Sequence, residues 1–380
     1  MTSRPRRPGA RPRSIRRASP LLVLGVVAAL AVGACAGSSA GGRATGEVSA
    51  VTEAPATAVS ATAVPVTLAP VTAASASPAA PTPIPAMPTS ITVPFPLTVT
   101  DDEGTAVSIP ARPVRIVSLT PAVTETLFAL GAGDRVVANS DFDDYPAQVG
   151  DLPHVATYMG VDIEKIVGLA PDLVIAGGNG FNSPDAIAKL RSVGIPVVVL
   201  YADGVDAILA DIRLVGTSVG AASQAETLTA WMGERLGAIA AAAATSTPPR
   251  VFYELDATNE IYGPAPKSFI ASMVELAGGD PITTGDPAVF AIPLEELLAA
   301  DPQVIVLGDA AYGTTPAMVG ERPGWGGMAA VKAGAVRPVE DTIVTRPGPR
   351  IVEGLRALAL AIDPTAALPE IGSPPPVAGP

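Results

Sequence analysis

Two segments, IEKIVGLAPDLVIAGG (Ile163–Gly178) and LEELLAADPQVIVLGD (Leu294–Asp309), follow one pattern. Each opens on an apolar residue and a glutamate, continues as a short amphipathic helix, and ends in a buried β-run. The spacing from Glu164 to Pro171 equals that from Glu295 to Pro302. Proline suits the joint because it disfavours helical geometry in the residue before it. A helix–strand unit used twice implies two pseudo-symmetric lobes.

The surrounding sequence fits that division. LTVTDDEGTAVSI reads as a β-hairpin around Asp-Glu-Gly. VRIVSL, RVVAN, DLVIAGG and PVVVLYA are strand-like, and AVTETLFALG is a helix ended by Gly131. Further helices are expected over 162–169 and 184–193. Strands alternating with helices imply parallel βαβ units. A long helical stretch over 205–245 then interrupts the alternation, with AETLTAWMGERLGAIAAAAAT as its second part and Thr247-Pro248-Pro249 as its stop. Alternation resumes with RVFYEL, PQVIVLG and AVRPV. The fold class is therefore α/β: two Rossmann-like lobes joined by a single long helix, with a ligand cleft between them. The expected boundaries are 95–220 for the N-terminal lobe, 221–246 for the linking helix, 247–366 for the C-terminal lobe and 367–380 for a disordered tail.

Residues 1–34 have a different character. Seven arginines and no acid in residues 1–20 precede the apolar run LLVLGVVAALAVGA, the layout of a secretory signal. Arg16-Arg17 raises twin-arginine export, which the following residues fit poorly. Val32-Gly33-Ala34-Cys35 resembles a bacterial lipobox, and Cys35 is the only cysteine in 380 residues. It is expected to be a lipidation site, with the exported domain stable without disulfides. Residues 35–94, almost all Ala, Val, Thr, Pro, Ser and Gly, cannot bury a core and are expected to be a disordered tether. Loss of the seven arginines takes the formal charge from −12 to −19. So acidic a chain argues against nucleic acid and against an anionic membrane face as partners.

Catalytic constellations are missing from the sequence. His154 is the one histidine and sits in a loop, where an ordinary role outweighs a metal or base role; no Cys/His cluster remains for zinc, and no Ser–His–Asp set is evident. The Gly-x-Gly of ALGAGDRVV follows a helix and precedes a strand, the reverse of a dinucleotide-binding turn. DFDDYP (141–146) clusters three acids that would serve either as acid and base or as a solvated turn.

Strand ends carry more information, because open α/β sheets bind ligands beyond the carboxyl ends of their strands. Those positions hold Thr120-Pro121-Ala122, Asp141 to Tyr145, GGNGF with Phe181, Tyr253 and Glu254, Asp309 to Tyr312, and DTIVTRPGPR. Tyr145, Phe181, Tyr253 and Tyr312 stand at these tips in a chain only 4% aromatic. Tyrosines offer both area and a hydroxyl to a large flat ligand.

RIVSLTPAVTETLFALG, SDFDDYP, GVDIEKIVGLAPDLVIA and RPGPRIVEGL together resemble the substrate-binding proteins of ATP-driven importers for cobalamin, haem and ferric siderophores. The resemblance runs from Val114 to Asp363 and implies two lobes bridged by one rigid helix, with no catalytic activity. It also implies an ABC permease and its ATPase as partners, a metal chelate as transported ligand rather than cofactor, and a monomer held outside the cell membrane by its lipid. The SLTPAVTE and SDFDDYP segments are most similar to those of cobalamin binders. Carried over position by position, Pro121, Ala122, Tyr145, Tyr158 and Arg346 are implied ligand contacts. Tyr158 stands where such binders usually have tryptophan. Of the two tryptophans, Trp325 is a candidate for the cleft and Trp231 for helix packing. The resemblance further implies that Glu164 and Glu295 dock one lobe each onto permease arginines. A ferric-siderophore or haem binder is the alternative, with Arg346 and Arg350 meeting anionic groups. From other classes come a sensory or adhesive domain without transport, and a secreted hydrolase pairing the 141–144 carboxylates with Glu254 or Asp309.

Overall fold

A computed structural model describes residues 91 and 93–376. The signal segment, Cys35 and nearly all of the tether lie outside the described residues. The order of elements begins with a hairpin, β1 (Leu97–Thr100) and β2 (Ala106–Ile109), whose strands pair antiparallel across the Asp-Glu-Gly turn. The N-terminal lobe continues through β3 (Ile116–Ser118), α1 (Pro121–Ala129), β4 (Val136–Ser140), β5 (His154–Thr157) and β6 (Gly160–Val161). It is completed by α2 (Ile163–Gly168), β7 (Leu173–Gly177), α3 (Pro184–Ser192), β8 (Val197–Leu200) and α4 (Val205–Ser218). Its six strands lie in the order β6-β5-β4-β3-β7-β8, all parallel except the short β6. Every residue of β3 and β7 is buried, as expected of a parallel sheet covered on both faces.

The expected long helical stretch is two helices. Val219-Gly220-Ala221 separates α4 from α5 (Ala222–Ala243), and Gly220 takes the left-handed backbone at φ 69°. With 22 residues, α5 is about 33 Å long. It packs against α4 on one side and the last helix of the C-terminal lobe on the other. That lobe comprises β9 (Arg250–Glu254), α6 (Phe269–Leu276), β10 (Asp280–Pro281), α7 (Leu294–Ala300), β11 (Val304–Leu307), α8 (Pro316–Glu321), α9 (Ala329–Lys332), β12 (Val336–Pro338), α10 (Asp341–Thr345) and α11 (Ile351–Ile362). Its parallel sheet has the order β10-β9-β11-β12.

One apolar cluster runs through both lobes, linking Leu127, Ile212 and Val215 to Met232 of α5 and on to Val251, Leu355 and Leu358. Each sheet has a second, private cluster on its other face, around Val174 in the first and Ile305 in the second. Residues 367–376, the described part of the tail expected to trail away, carry no helix or strand, yet Leu368 and Ile371 pack on the shared core. Arg235 donates to the Ile371 carbonyl at 3.0 Å and Arg356 to that of Pro369 at 3.3 Å. Two apolar residues among the prolines are enough to lay the segment down.

The repeat holds in detail. Helix α2 leads through Pro171 into β7, which pairs with β3; α7 leads through Pro302 into β11, which pairs with β9. The residues just before the prolines, Ala170 and Asp301, both have left-handed φ, 46° and 44°. In each lobe an arginine at the root of the first paired strand caps the repeated helix. Arg115 donates to the Leu169 carbonyl at 3.0 and 2.7 Å, and Arg250 donates to Ala300 and Asp301 carbonyls at 2.8 and 2.7 Å. A cation there satisfies orphan carbonyls and complements the negative end of the helix. Arg250→Ala should therefore lower stability by about 1–2 kcal/mol, read as a reduced urea midpoint with an unchanged slope.

Candidate functional site

A cavity of about 460 Å³ opens between the lobes. Its N-terminal wall is built from strand ends: Thr120 to Val123 beyond β3, Gly177 to Asn179 and Phe181 at the end of β7, and Leu200 to Ala202 at the end of β8. Helix α4 adds Asp211, Ile212 and Val215, and the opposite wall is Phe269, Tyr312, Asp341, Thr342 and Thr345 to Pro347. Strand ends can form such a wall because strands must stop where their helices turn back, which leaves loops and the N-terminus of α1 facing the gap. Thr120 caps that helix by accepting the Val123 N–H at 3.3 Å. The double glycine that ends β7 is needed for space: a Cβ on Gly177 would lie 2.8 Å from the Thr120 methyl and 3.1 Å from the Phe181 ring.

Five of the chain's fifteen aromatic residues, Phe142, Phe181, Tyr201, Phe269 and Tyr312, line this cavity. Of the expected ligand contacts, Pro121, Ala122, Phe181, Tyr312 and Arg346 are on its walls. Tyr145 and Tyr158 are exposed but outside the lining; the Arg350 guanidinium lies over the Tyr145 ring at 4.5 Å. Tyr253 and Trp325 correct the sequence reading, because both are buried. Tyr253 is held inside β9, with Gly308 close against its ring and its hydroxyl 3.2 Å from Asp341 Oδ1. Trp325 belongs to the private core of the C-terminal lobe, beneath the Arg322 guanidinium at 4.6 Å.

The sequence reading missed Tyr201, Asp211 and Phe269, and covered Phe142 only within the strand-end run Asp141 to Tyr145. Tyr201 directly follows the PVVVL strand, so the strand-end rule reaches it. Asp211 was also detectable, as the one acid on a stripe of buried Ile208, Ile212 and Val215 spaced for one helix face.

Electrostatics divide the cleft. At one end, Glu125 of α1 is almost fully buried and meets two arginines of the other lobe. Arg350 donates to it at 2.9 and 2.7 Å, and Arg346 at 3.1 Å. Arg346 also grips Asp144 at 2.5 and 3.1 Å. Partial burial works against its charge, but Asp144 and Glu125 keep the Arg346 pKa above its ordinary value. Asp144 is itself held below the usual range by Arg346 despite some desolvation. Its neighbour Asp143 is pushed up by burial and accepts from the Ser140 backbone and hydroxyl. Glu254, the other carboxylate considered for hydrolysis, is clamped by Arg322 at 2.6 and 2.8 Å. Asp144 and Glu254 are thus ion-pair partners and Asp143 is held by Ser140, which does not make a poised acid and base. At the far end, burial first and then Asp102 and Asp203 push Asp211 up to about 8.

Residues 116–341 match the Periplasmic binding protein family. The chain is 33% identical over 275 residues to an uncharacterised ABC transporter substrate-binding lipoprotein of Bacillus subtilis, covering 71% of this chain and 86% of that one. It is 32% identical over 278 residues to a cobalamin-binding protein of Halobacterium salinarum, covering 70% and 74%. Among solved structures, a periplasmic haem-binding protein from Roseiflexus is similar with a TM-score of 0.58 and 28% identity, covering 65% of this chain and 97% of that one. The chain belongs to the periplasmic binding protein family. It is a non-enzymatic substrate-binding protein of the ABC-importer type.

Removing one partner of a buried ion pair leaves its counter-charges stranded. Glu125→Ala should thus cost about 3 kcal/mol of stability, while Glu125→Ala with Arg350→Met should cost clearly less than the sum of the two single changes, measured by urea denaturation as a double-mutant cycle.

Proposed function

We propose that the protein captures a corrinoid in this cleft and delivers it, tethered outside the cytoplasmic membrane through lipidated Cys35, to an ABC permease. The observation that carries this reading is the cleft's combination of an aromatic rim with cations already neutralised by the protein. Such a surface favours a large, flat, uncharged chelate. A corrin ring with its side chains exceeds the cavity, so its edge enters while the remainder occupies the open mouth. Cyanocobalamin titrated into the protein should quench tyrosine and tryptophan fluorescence and co-migrate with it on gel filtration. Failure of cyanocobalamin to do either would overturn the corrinoid assignment.

Glu164 and Glu295 support the delivery half of the proposal. Each is the second residue of its repeated helix, each is exposed, and among the described residues neither is in an ion pair. A glutamate in a first helical turn is favoured by roughly 0.3–1 kcal/mol whatever its other role. We assign them, one per lobe, to permease docking, where confinement by the tether lets a modest affinity suffice. Changing both to lysine should abolish corrinoid uptake and stimulation of the importer's ATPase, with ligand affinity and fold unchanged. Uptake at the wild-type rate would leave them as helix-terminus residues only.

A further inference from the structure

Arg346 is the one lysine or arginine on the cavity wall, and two acids hold it. Among the described residues its ion-pair partners are Glu125 and Asp144, and the two are not equivalent. The Glu125 side chain is 2% exposed, and Arg350 alone serves both of its oxygens, at 2.9 and 2.7 Å. Arg346 reaches Glu125 through Nη1 only, at 3.1 Å. Toward Asp144 it presents its whole fork, Nη1 to Oδ1 at 2.5 Å and Nη2 to Oδ2 at 3.1 Å. The Asp144 side chain is 59% exposed, so the acid that holds this fork sits at the surface rather than in the core. Two arginines and two carboxylates sum to zero charge, so without Asp144 one positive charge would stand on the cavity wall. No other acid is placed to replace it. Asp341, the acid on the same stretch of wall, accepts instead from the Tyr253 hydroxyl at 3.2 Å and from the Thr345 hydroxyl at 3.2 Å.

We propose that Asp144 is a built-in counter-ligand for Arg346: it occupies the guanidinium fork that the carboxylate of an anionic chelate would otherwise take, and so turns such chelates away from the cleft. The inference rests on the corrinoid reading above and deepens it, by naming the residue that sets the preference for an uncharged ligand. Two parallel N–H···O bonds are the arrangement in which a guanidinium binds any carboxylate. A propionate of a ferric porphyrin therefore gains the same two donors only by displacing Asp144. The resident acid has the advantage in that competition. It belongs to the chain and is already positioned, whereas the ligand's group must first be desolvated and ordered. An uncharged corrin edge needs no cation and loses nothing to Asp144. Asp144 acts through Arg346 rather than by touching the ligand, which makes it a positioning residue.

The test measures the affinities of ferric haem and of cyanocobalamin for the full chain by equilibrium titration at pH 7 and follows their ratio. The wild-type protein should bind haem the more weakly of the two. Asp144→Asn keeps the shape of the side chain and removes its charge, and it should shift the ratio toward haem by about tenfold or more. Asp144→Ala should shift it in the same direction. Adding Arg346→Gln to Asp144→Asn should return the ratio to within about threefold of the wild-type value, because the freed fork is then gone. A purely structural role for Asp144 would weaken both ligands together and leave the ratio in place. An unchanged ratio in both single variants overturns the inference and leaves the corrinoid assignment standing, and so does a shift that survives Arg346→Gln. Where cyanocobalamin binds but ferric haem binds the wild-type protein more tightly, the inference and the ligand choice fall together. If cyanocobalamin does not bind at all, the corrinoid reading falls and the haem titrations alone decide the inference: a gain in Asp144→Asn that depends on Arg346 upholds it, and no gain overturns it.

Discussion

A single buried carboxylate, Glu125, governs how the two lobes face each other. It sits on α1 at the mouth of the N-terminal lobe and accepts three hydrogen bonds from Arg346 and Arg350 across the gap. Two guanidiniums on one carboxylate would leave surplus positive charge, which Asp144 and the Phe142 carbonyl absorb on the Arg346 side. The Tyr145 ring lies under Arg350 on the other side. The same contacts that register the lobes therefore remove the cleft's cations from service. Gly348 makes the approach possible, because a Cβ there would lie 3.3 Å from the Ala122 carbonyl of the opposite lobe. Lobe position and ligand chemistry are set by one cluster.

Away from that cluster the lobes are joined by packing rather than charge. The shared apolar core passes through α5, so the linking helix has partners on both sides and cannot act as a loose hinge. Each sheet also keeps a core of its own, consistent with lobes that hold their internal shape. The arginine caps of α2 and α7 repeat within each lobe and fix the strands whose ends form the repeated framework. Rigid lobes, a packed linker and a polar latch at the mouth make a cleft whose walls are preorganised.

Sequence reasoning reached the architecture because its signals are local. Apolar β-runs, helix periodicity and the Glu-to-Pro spacing each depend on residues close together in the chain, and two copies of one unit imply two lobes without long-range information. The break at Val219-Gly220-Ala221 was harder to see, since helical composition continues on both sides and only a left-handed glycine separates the halves. The strand-end rule found Pro121, Ala122, Phe181, Tyr312 and Arg346 because loop position follows from strand position. It misplaced Tyr253 because a residue near a strand end can point along the sheet into the core as easily as out of it. Trp325 went the same way for want of knowledge of Arg322.

The sequence by itself determined the family, the two-lobed α/β plan, the linking helix and the loops that border the cleft. The pattern of apolar and turn-forming residues is a property of neighbours, and it suffices for these. Only the tertiary structure decided which charges are free. Glu125 and Arg350 are far apart in the chain, as are Asp144 and Arg346, and nothing in local composition says that either arginine is already neutralised. Charge interactions act through space over a few ångströms, so the character of the cleft, with its one lining cation already paired, emerges only when the two lobes are brought together.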